Sequence, residues 1–412
     1  MSEESEPEGT EELAIRRRGR RRILIWGSAG LAVLVAVVVI AAFGVLSHFN
    51  TNIQQDNITG MLGSRPVDSH PEAENILVLG SDSRQGLGKA FGSGLVTDQS
   101  DTMMIIHIPA NRQWAEVMSV PRDSWVNIPS CQMGNRHMSQ PTQAKINQAF
   151  ATGNLDGNHT NLGVACTVKT LESDTGVYID HFVVVNFTGL ESMVRALGGV
   201  PECNSSPIND PQSGLHLTAG RHMLDPRQAL GYVRARYTLG DGSDLERIGR
   251  QQAFMSALIG RVRQRTLDPV AIYGFLDATT RALTIDSQLG GIRGLYNLGE
   301  SLRNIPSDKI AFFTVPNYPD PAQPADVLWN QPEDGKIFSS FRNDIPASTR
   351  LFKANPAAAP SPARTGNSVA ERGDSLSGAT PGPSASSTPD PSATPSSIPI
   401  QDRTANQSLC AG

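Results

Sequence analysis

The sequence predicts an α/β fold in three layers, a mixed central sheet with helices on both faces, preceded by one transmembrane helix. Three observations predict it. Short apolar runs that stop at Gly or Pro alternate with longer segments of helical period. Two of the early runs are close enough in sequence to form a hairpin, which makes the sheet mixed rather than parallel. Near the N-terminus lies an uncharged stretch long enough to cross a bilayer core, which takes about 20 apolar residues.

The strands come first. Asn75–Leu79 (NILVL) is a buried-strand run ended by Gly80. Thr102–Ile108 and Trp114–Val120 end at Pro109 and Pro121 and are the expected hairpin, while His181–Phe187 and Ile310–Val315 add two more strands. Helices are expected to open at Lys145–Phe150, over Leu162–Ser173, and over Gly189–Leu197, with Thr188 as cap and the Gly198-Gly199 pair as stop. Pro226 suits a first helical turn, and Asp244–Arg265, Val270–Ala282 and Leu289–Ile305 complete the set.

The organisation follows from composition. Residues 1–22 begin acidic and end in a cluster of arginines (Arg16, Arg17, Arg18, Arg20, Arg21, Arg22), and residues 23–46 are the uncharged span. Arginines before the span and none clustered after it place the N-terminus in the cytoplasm and the rest outside. A cleaved signal peptide is the rival reading, but the run is long and lacks an A-x-A site. Residues 47–73 read as a polar linker, 74–346 as the folded domain, and 347–412, rich in Pro, Ser, Ala and Thr, as a disordered tail. A formal net charge of −5 gives no global field for nucleic acid. Four cysteines, Cys131, Cys166, Cys203 and Cys410, stand outside the membrane without a C-x-x-C pair. A disulfide framework is therefore expected over zinc, and of the three possible pairings Cys131–Cys166 is favoured because it would staple a long loop.

The chemistry-bearing residues gather in a few segments. Val233–Gln252 holds four arginines and two glutamines. Arg234 and Arg236 alternate, so in extended chain they would leave one face. From Asp244 the pattern is helical, and Arg247 and Gln251 fall on the same stripe as Ile248, Met255, Leu258 and Val262 at ~100° per residue. A core-facing guanidinium needs a partner, and planar guanidiniums converging from two elements suit a phosphate or pyrophosphate. Arg250 lies off this stripe and is expected at the surface or in a salt bridge. Asp82 and Arg84 follow the first strand, where ligands of open α/β sheets bind; an Asx turn would explain them as well. Asp101 begins the second strand and could share a divalent cation with Asp82, with Asp98 a further candidate, since Mg²⁺ is commonly held by carboxylates and substrate phosphates. Arg122 and Asp123 follow the third strand and could simply pair with each other. Lys145 precedes a helix, where it could reach a phosphate. Histidines are scattered, and neither a Ser-His-Asp set nor a Walker loop occurs. Paired acids and several arginines without an activated Ser or Cys point to phosphoryl transfer.

In this order NILVLGSDSR (75–84), SDTMMIIHI (100–108), SVPRDSWV (119–126), KIN (145–147), IDHFVVVNFTGLESMVRALGGV (179–200) and ALGYVRARYTLGDGSDLERIGRQQ (229–252) resemble the LytR-CpsA-Psr family of cell-wall glycopolymer transferases. The resemblance covers about residues 74–316, and the tail ending in Cys410 looks like that of actinobacterial members. It implies transfer of a glycopolymer from a polyprenyl-pyrophosphate carrier to the muramic-acid 6-hydroxyl of peptidoglycan, outside a membrane crossed once. It implies Mg²⁺ (or Mn²⁺) on Asp82 and Asp101, and pyrophosphate on Arg84, Arg122, Lys145, Arg234, Arg236, Arg247 and Gln251. Arg122, Arg236 and Asp244 would be catalytic, with Asp244 ordering Arg247 and Arg236, and an apolar cavity would take the prenyl chain. This sequence departs from the family pattern between Arg122 and Lys145 and at Leu224-Asp225-Pro226. Two other functions remain open at this point: a polyprenyl-pyrophosphate pyrophosphatase and a non-catalytic lipid-binding assembly protein. The expected placement of the domain across the membrane from DNA argues against a transcription regulator.

Overall fold

A computed structural model describes residues 31, 34–81, 100–155, 157–235, 244–347 and 403–404. Helix α1 (Leu34–Asn52) is the one helix among them long and apolar enough to cross a membrane. It is followed by β1 (Gln54–Asp56), α2 (Thr59–Leu62), β2 (Glu74–Ser81), β3 (Ser100–Ile108) and β4 (Ala115–Ser119). Next come β5 (Trp125–Ile128), β6 (Thr142–Lys145), α3 (Asn147–Gly153), α4 (Thr160–Thr175), β7 (His181–Asn186) and α5 (Phe187–Ala196). A small lobe holds β8 (Val200–Asn204), β9 (Ile208–Asp210), β10 (Leu215–Leu217), β11 (Gly220–Leu224) and α6 (Pro226–Arg234). The chain returns through α7 (Asp244–Arg265), α8 (Pro269–Ala282), β12 (Leu283–Asp286), α9 (Gly291–Arg303), β13 (Ile310–Thr314), β14 (Asn317–Pro319), β15 (Val327–Trp329) and α10 (Glu333–Arg342); β16 is Arg403–Thr404.

The central sheet is mixed, in the order β1-β12-β7-β2-β3-β4-β13-β16. β3 and β4 form the expected antiparallel hairpin, with Met104 opposite Ser119, whereas β2 runs parallel to β7 and β4 parallel to β13. Alternation splits β2 between two cores. Leu77 and Leu79 join Ile105, Met118 and Phe182 under Phe150, Val168 and Leu171 of α3 and α4 and Phe338 and Phe341 of α10. Ile76 turns to the other face with Val183 and Ile285, against Leu295, Leu298 and Leu302 of α9. Burial on both faces is why these strands read as continuous apolar runs. Burying each such side chain is worth about 1.5–3 kcal/mol.

Several expectations need correction. The stretch expected as linker, 47–73, belongs to the folded unit: β1 pairs with β12, and Ile53, Ile58 and Leu62 are buried. Three residues of strand and one helical turn are too short to show a period. The cap of α5 is Asn186, whose side chain accepts from the Gly189 amide at 2.7 Å, rather than Thr188. The stop is as expected, since Gly198 and Gly199 adopt φ of 70° and 98°, where a side chain is strained. Within the expected disordered tail, Arg403 and Thr404 pair with Phe312 and Ala311 at the sheet edge. Cys131 and Cys166 form the expected disulfide, with Cα atoms 5.4 Å apart. Cys203 is disulfide-bonded as well, to a partner outside the described residues.

Candidate functional site at one edge of the sheet

Strand directions bring the candidate segments to a single rim. β2, β7, β4 and β13 run the same way, so Ser81, Asn186, Ser119 and Thr314 end at one edge, and antiparallel β3 begins there. The β2–β3 register shifts at this edge: Gly80 pairs with Thr102 and Ser81 with Ser100, so Asp101 is the extra residue of a bulge. Bulges re-aim a side chain and frequently lie beside functional sites. Ser81, the residue before Asp82, is thus the neighbour of the Asp101 bulge. Asp82, Arg84, Asp98 and Arg236 lie outside the described residues, and Asp101 and Asp244 are described by their backbone alone. Among the described residues no three His, Cys, Asp or Glu side chains gather as metal ligands.

Helix α7 begins over this rim. Its register is fixed by two adjacent glutamines. Gln251 Nε2 donates to Thr102 Oγ1 at 2.9 Å and to the Val233 carbonyl at 3.2 Å. Gln252 Nε2 donates to Ser119 Oγ at 3.0 Å and to the Phe313 carbonyl at 3.2 Å. Three strands are thereby tied to one helical turn. Arg247, one turn earlier, is buried as the stripe required, and so is Ile248. Arg250 is also buried, which corrects the expected surface position: its guanidinium donates to the Ala235 carbonyl, and Glu246 stands 3.9 Å away. The stripe argument assumed one covered face. In fact α7 lies between two apolar clusters, with Phe254 and Leu258 facing Tyr232 and Leu224 of the small lobe and Met255 facing Met104 and Val117 of the sheet. Burial drives the Arg250 pKa down, and the neighbouring Arg247 charge adds to that effect.

Arg234 is the last residue of α6 and is exposed, so the extended chain expected to project Arg234 and Arg236 from one face does not include Arg234. The capping box of Asp225 and Gln228 starts that helix, with Pro226 in its first turn as expected.

The third strand leads from Ser119 into Arg122 and Asp123. Arg122 Nε lies 3.6 Å from Asp123, so the anticipated pair exists. Lys145 ends β6 and precedes α3 as expected, and α3 is a seven-residue helix. Its ammonium sits between Asp123 at 3.0 Å and Asp326 at 2.9 Å. Burial opposes its charge, but the bonds to Asp326 and Asp123 outweigh this and raise its pKa. Asp326 and Gln252 carried no signal of their own in the sequence. Gln252 stood next to a flagged glutamine, whereas Asp326 meets Lys145 across 181 residues of chain.

Comparison with known proteins gives the family and the fold. The LytR_cpsA_psr family model matches residues 45–338. The probable cell wall biosynthesis protein LcpB of Corynebacterium glutamicum is 29% identical over 339 residues, 78% of this chain and 74% of that one. The polyisoprenyl-teichoic acid–peptidoglycan teichoic acid transferase TagT of Bacillus subtilis is 27% identical over 355 residues, covering 81% of this chain and 99% of its own. The solved LytR-Csp2A-Psr enzyme from Actinomyces oris superposes with a TM-score of 0.52 at 21% identity, over 72% of this chain and 97% of that one, which matches the fold.

Proposed function

The chain belongs to the LytR-CpsA-Psr family and is a transferase, and on that footing we propose that it moves a glycopolymer from a polyprenyl-pyrophosphate carrier to the muramic-acid 6-hydroxyl of peptidoglycan. The observation that carries this reading is the start of α7, where two guanidiniums are buried over the rim that also holds the Asp101 bulge. A dianionic pyrophosphate is the chemical complement of such a place. In the reaction the acceptor oxygen bonds to the sugar-side phosphorus. That phosphorus loses its bond to the bridging oxygen, prenyl phosphate leaves, and the acceptor proton passes to solvent or a base.

Arg247 and Gln251 bind the pyrophosphate from α7, and Arg84, Arg234 and Arg236 complete that wall. Arg122 holds the phosphoryl oxygens from the β4 side, positioned by Asp123, which Lys145 in turn anchors. Asp244, the first residue of α7, orders Arg247 and Arg236. Asp82 and Asp101 hold Mg²⁺, which supplies charge neutralisation on the pyrophosphate when bound. An apolar cavity between sheet and helices takes the prenyl chain. The domain works outside the membrane that α1 crosses, with the N-terminus in the cytoplasm.

The test is turnover of a polyprenyl-pyrophosphate glycopolymer by the full chain, with and without a peptidoglycan acceptor. The reading expects acceptor-bound glycopolymer, lost on chelation and restored by Mg²⁺. Equal release of prenyl phosphate without acceptor would instead mark a pyrophosphatase. Tight prenyl-pyrophosphate binding without any turnover would mark a lipid-binding assembly protein.

A further inference from the structure

The turn between α7 and α8 carries an apolar tip that the transferase site does not use. Leu267 is 97% exposed, Val270 82% and Tyr273 47%. Val270 and Tyr273 stand three residues apart on one face of α8, and Leu267 immediately precedes the helix. The tip is built rather than frayed. Asp268 caps α8 by accepting from the Ala271 amide at 3.0 Å, and Arg265 closes on Asp268 at 3.0 Å.

What lies beside this face is the end of α1. The Phe49 and Tyr273 rings pack at 5.2 Å between centroids. His48 bonds Asp277 at 2.8 Å, and Asn52 Nδ2 donates to Asp277 at 3.1 Å and to Thr280 at 3.4 Å. Asn52 meets Thr280, and β1 and β12, which follow the two helices, pair in parallel, so the helices run in the same sense where they touch. Stepping back three residues on each, about 4.5 Å at 1.5 Å per residue, places Val270 level with Leu46. Leu46 is the last residue of the apolar run, and Leu267 lies further still toward the membrane side.

We infer that the α7–α8 turn inserts into the outer interfacial zone of the bilayer that α1 crosses, so that the domain is held by two points rather than one. The inference rests on reading α1 as a membrane span. Leu267 and Val270 lie at the depth of lipid acyl chains, and Tyr273 stands at headgroup level, where an aromatic ring with one polar end is at home. Two attachment points fix which way the domain faces the membrane, which a single helix followed by free chain would not do.

The experiment uses the full chain in phosphatidylglycerol–phosphatidylcholine vesicles whose phosphatidylcholine carries bromines near the top of its acyl chains. Tryptophan is placed by Leu267→Trp at the tip, by Phe43→Trp in α1, and by Leu155→Trp on an exposed site of the α3–α4 connection. Each variant is read against the unsubstituted chain. The inference expects the added emission of Leu267→Trp to be blue-shifted and quenched by bromolipid to an extent comparable with Phe43→Trp, while Leu155→Trp is not quenched. Quenching of Phe43→Trp with a Leu267→Trp signal no different from Leu155→Trp overturns the inference and leaves the span intact. An unquenched Phe43→Trp overturns the span reading itself. Emission from Leu267→Trp that ignores bromolipid but follows protein density assigns the tip to a second copy and also overturns it.

Discussion

Two arginines at opposite places in the molecule, one half-buried and one buried, have opposite surroundings. Arg65, near the start of the folded unit, donates through Nε to both oxygens of Glu172 at 3.1 Å and through Nη1 to the Tyr178 hydroxyl at 2.7 Å, and lies 3.8 Å over the Tyr178 ring. Burial works against its charge, but the Glu172 hydrogen bond and charge outweigh it and raise its pKa. Arg250 in α7 is buried, and that burial, with Arg247 adding repulsion, lowers its pKa although Glu246 stands 3.9 Å away. The first arginine is a clamp whose charge is matched within the protein. The second is a buried guanidinium held by a backbone carbonyl, with a second arginine one turn away along the helix. On the proposed function the same residue type thus serves cohesion in one region and ligand attraction in the other.

That contrast can be broken most forcefully at the clamp. Glu172→Ala strands Arg65 without its carboxylate and should cost about 3–5 kcal/mol of stability, read by denaturant unfolding, with transfer per folded molecule unchanged. The disulfide tests cohesion in a second way. Cys131→Ser with Cys166→Ser frees a loop spanned by a separation of 35 residues and should cost about 3–4 kcal/mol, seen as a lower Tm in the oxidised protein only. At the other pole, Arg247→Ala should lower transfer about 10²–10³-fold while the unfolding midpoint moves far less than in Glu172→Ala. A variant that unfolded instead would make Arg247 a second clamp and erase the distinction.

The smallest effect concerns a carboxyl at the margin of the clamp, on the residue after Ile179, whose carbonyl Arg65 bonds. Burial raises the Asp180 pKa to about 6 from 3.8, partly opposed by the Asn75 amide it accepts. The folded state therefore holds this proton more tightly than the unfolded state. The associated stability is fully present below pH 3.8 and lost as the pH rises through about 6. Asp180→Asn keeps an acceptor for Asn75 and should gain about 1–2 kcal/mol above pH 6, discounted for partial exposure, with no gain near pH 3. Parallel unfolding curves for the two proteins across that range would contradict it.

How much of this the sequence made legible depended on length and on local pattern. β2, β3, β4, β7 and β13 are buried on both faces, so each reads as an apolar run without needing its partners. Helix α7 showed its bounds because a long helix averages out local noise. The pairs β8–β11 and β9–β10 are three to five residues each and have an exposed face, and they left no comparable trace. α10 hides Ile337, Phe338 and Phe341 in ten residues and was missed for the same reason. At the site, Arg247 and Gln251 followed from a stripe, but Arg250 did not, because periodicity assumes one covered face and α7 has two. Asp326 could not be found, since nothing local links it to Lys145.

The central claim is that the start of α7 holds a pyrophosphate, and binding measures it most directly. Titrating the full chain in lipid nanodiscs with polyprenyl pyrophosphate and with polyprenyl monophosphate compares two ligands that share a tail and differ in charge. The account predicts that the wild type prefers the pyrophosphate and that Arg247→Ala loses this preference while retaining the weaker, tail-driven binding of the monophosphate. Equal affinity for the two ligands in the wild type, or an undiminished preference in Arg247→Ala, would contradict it.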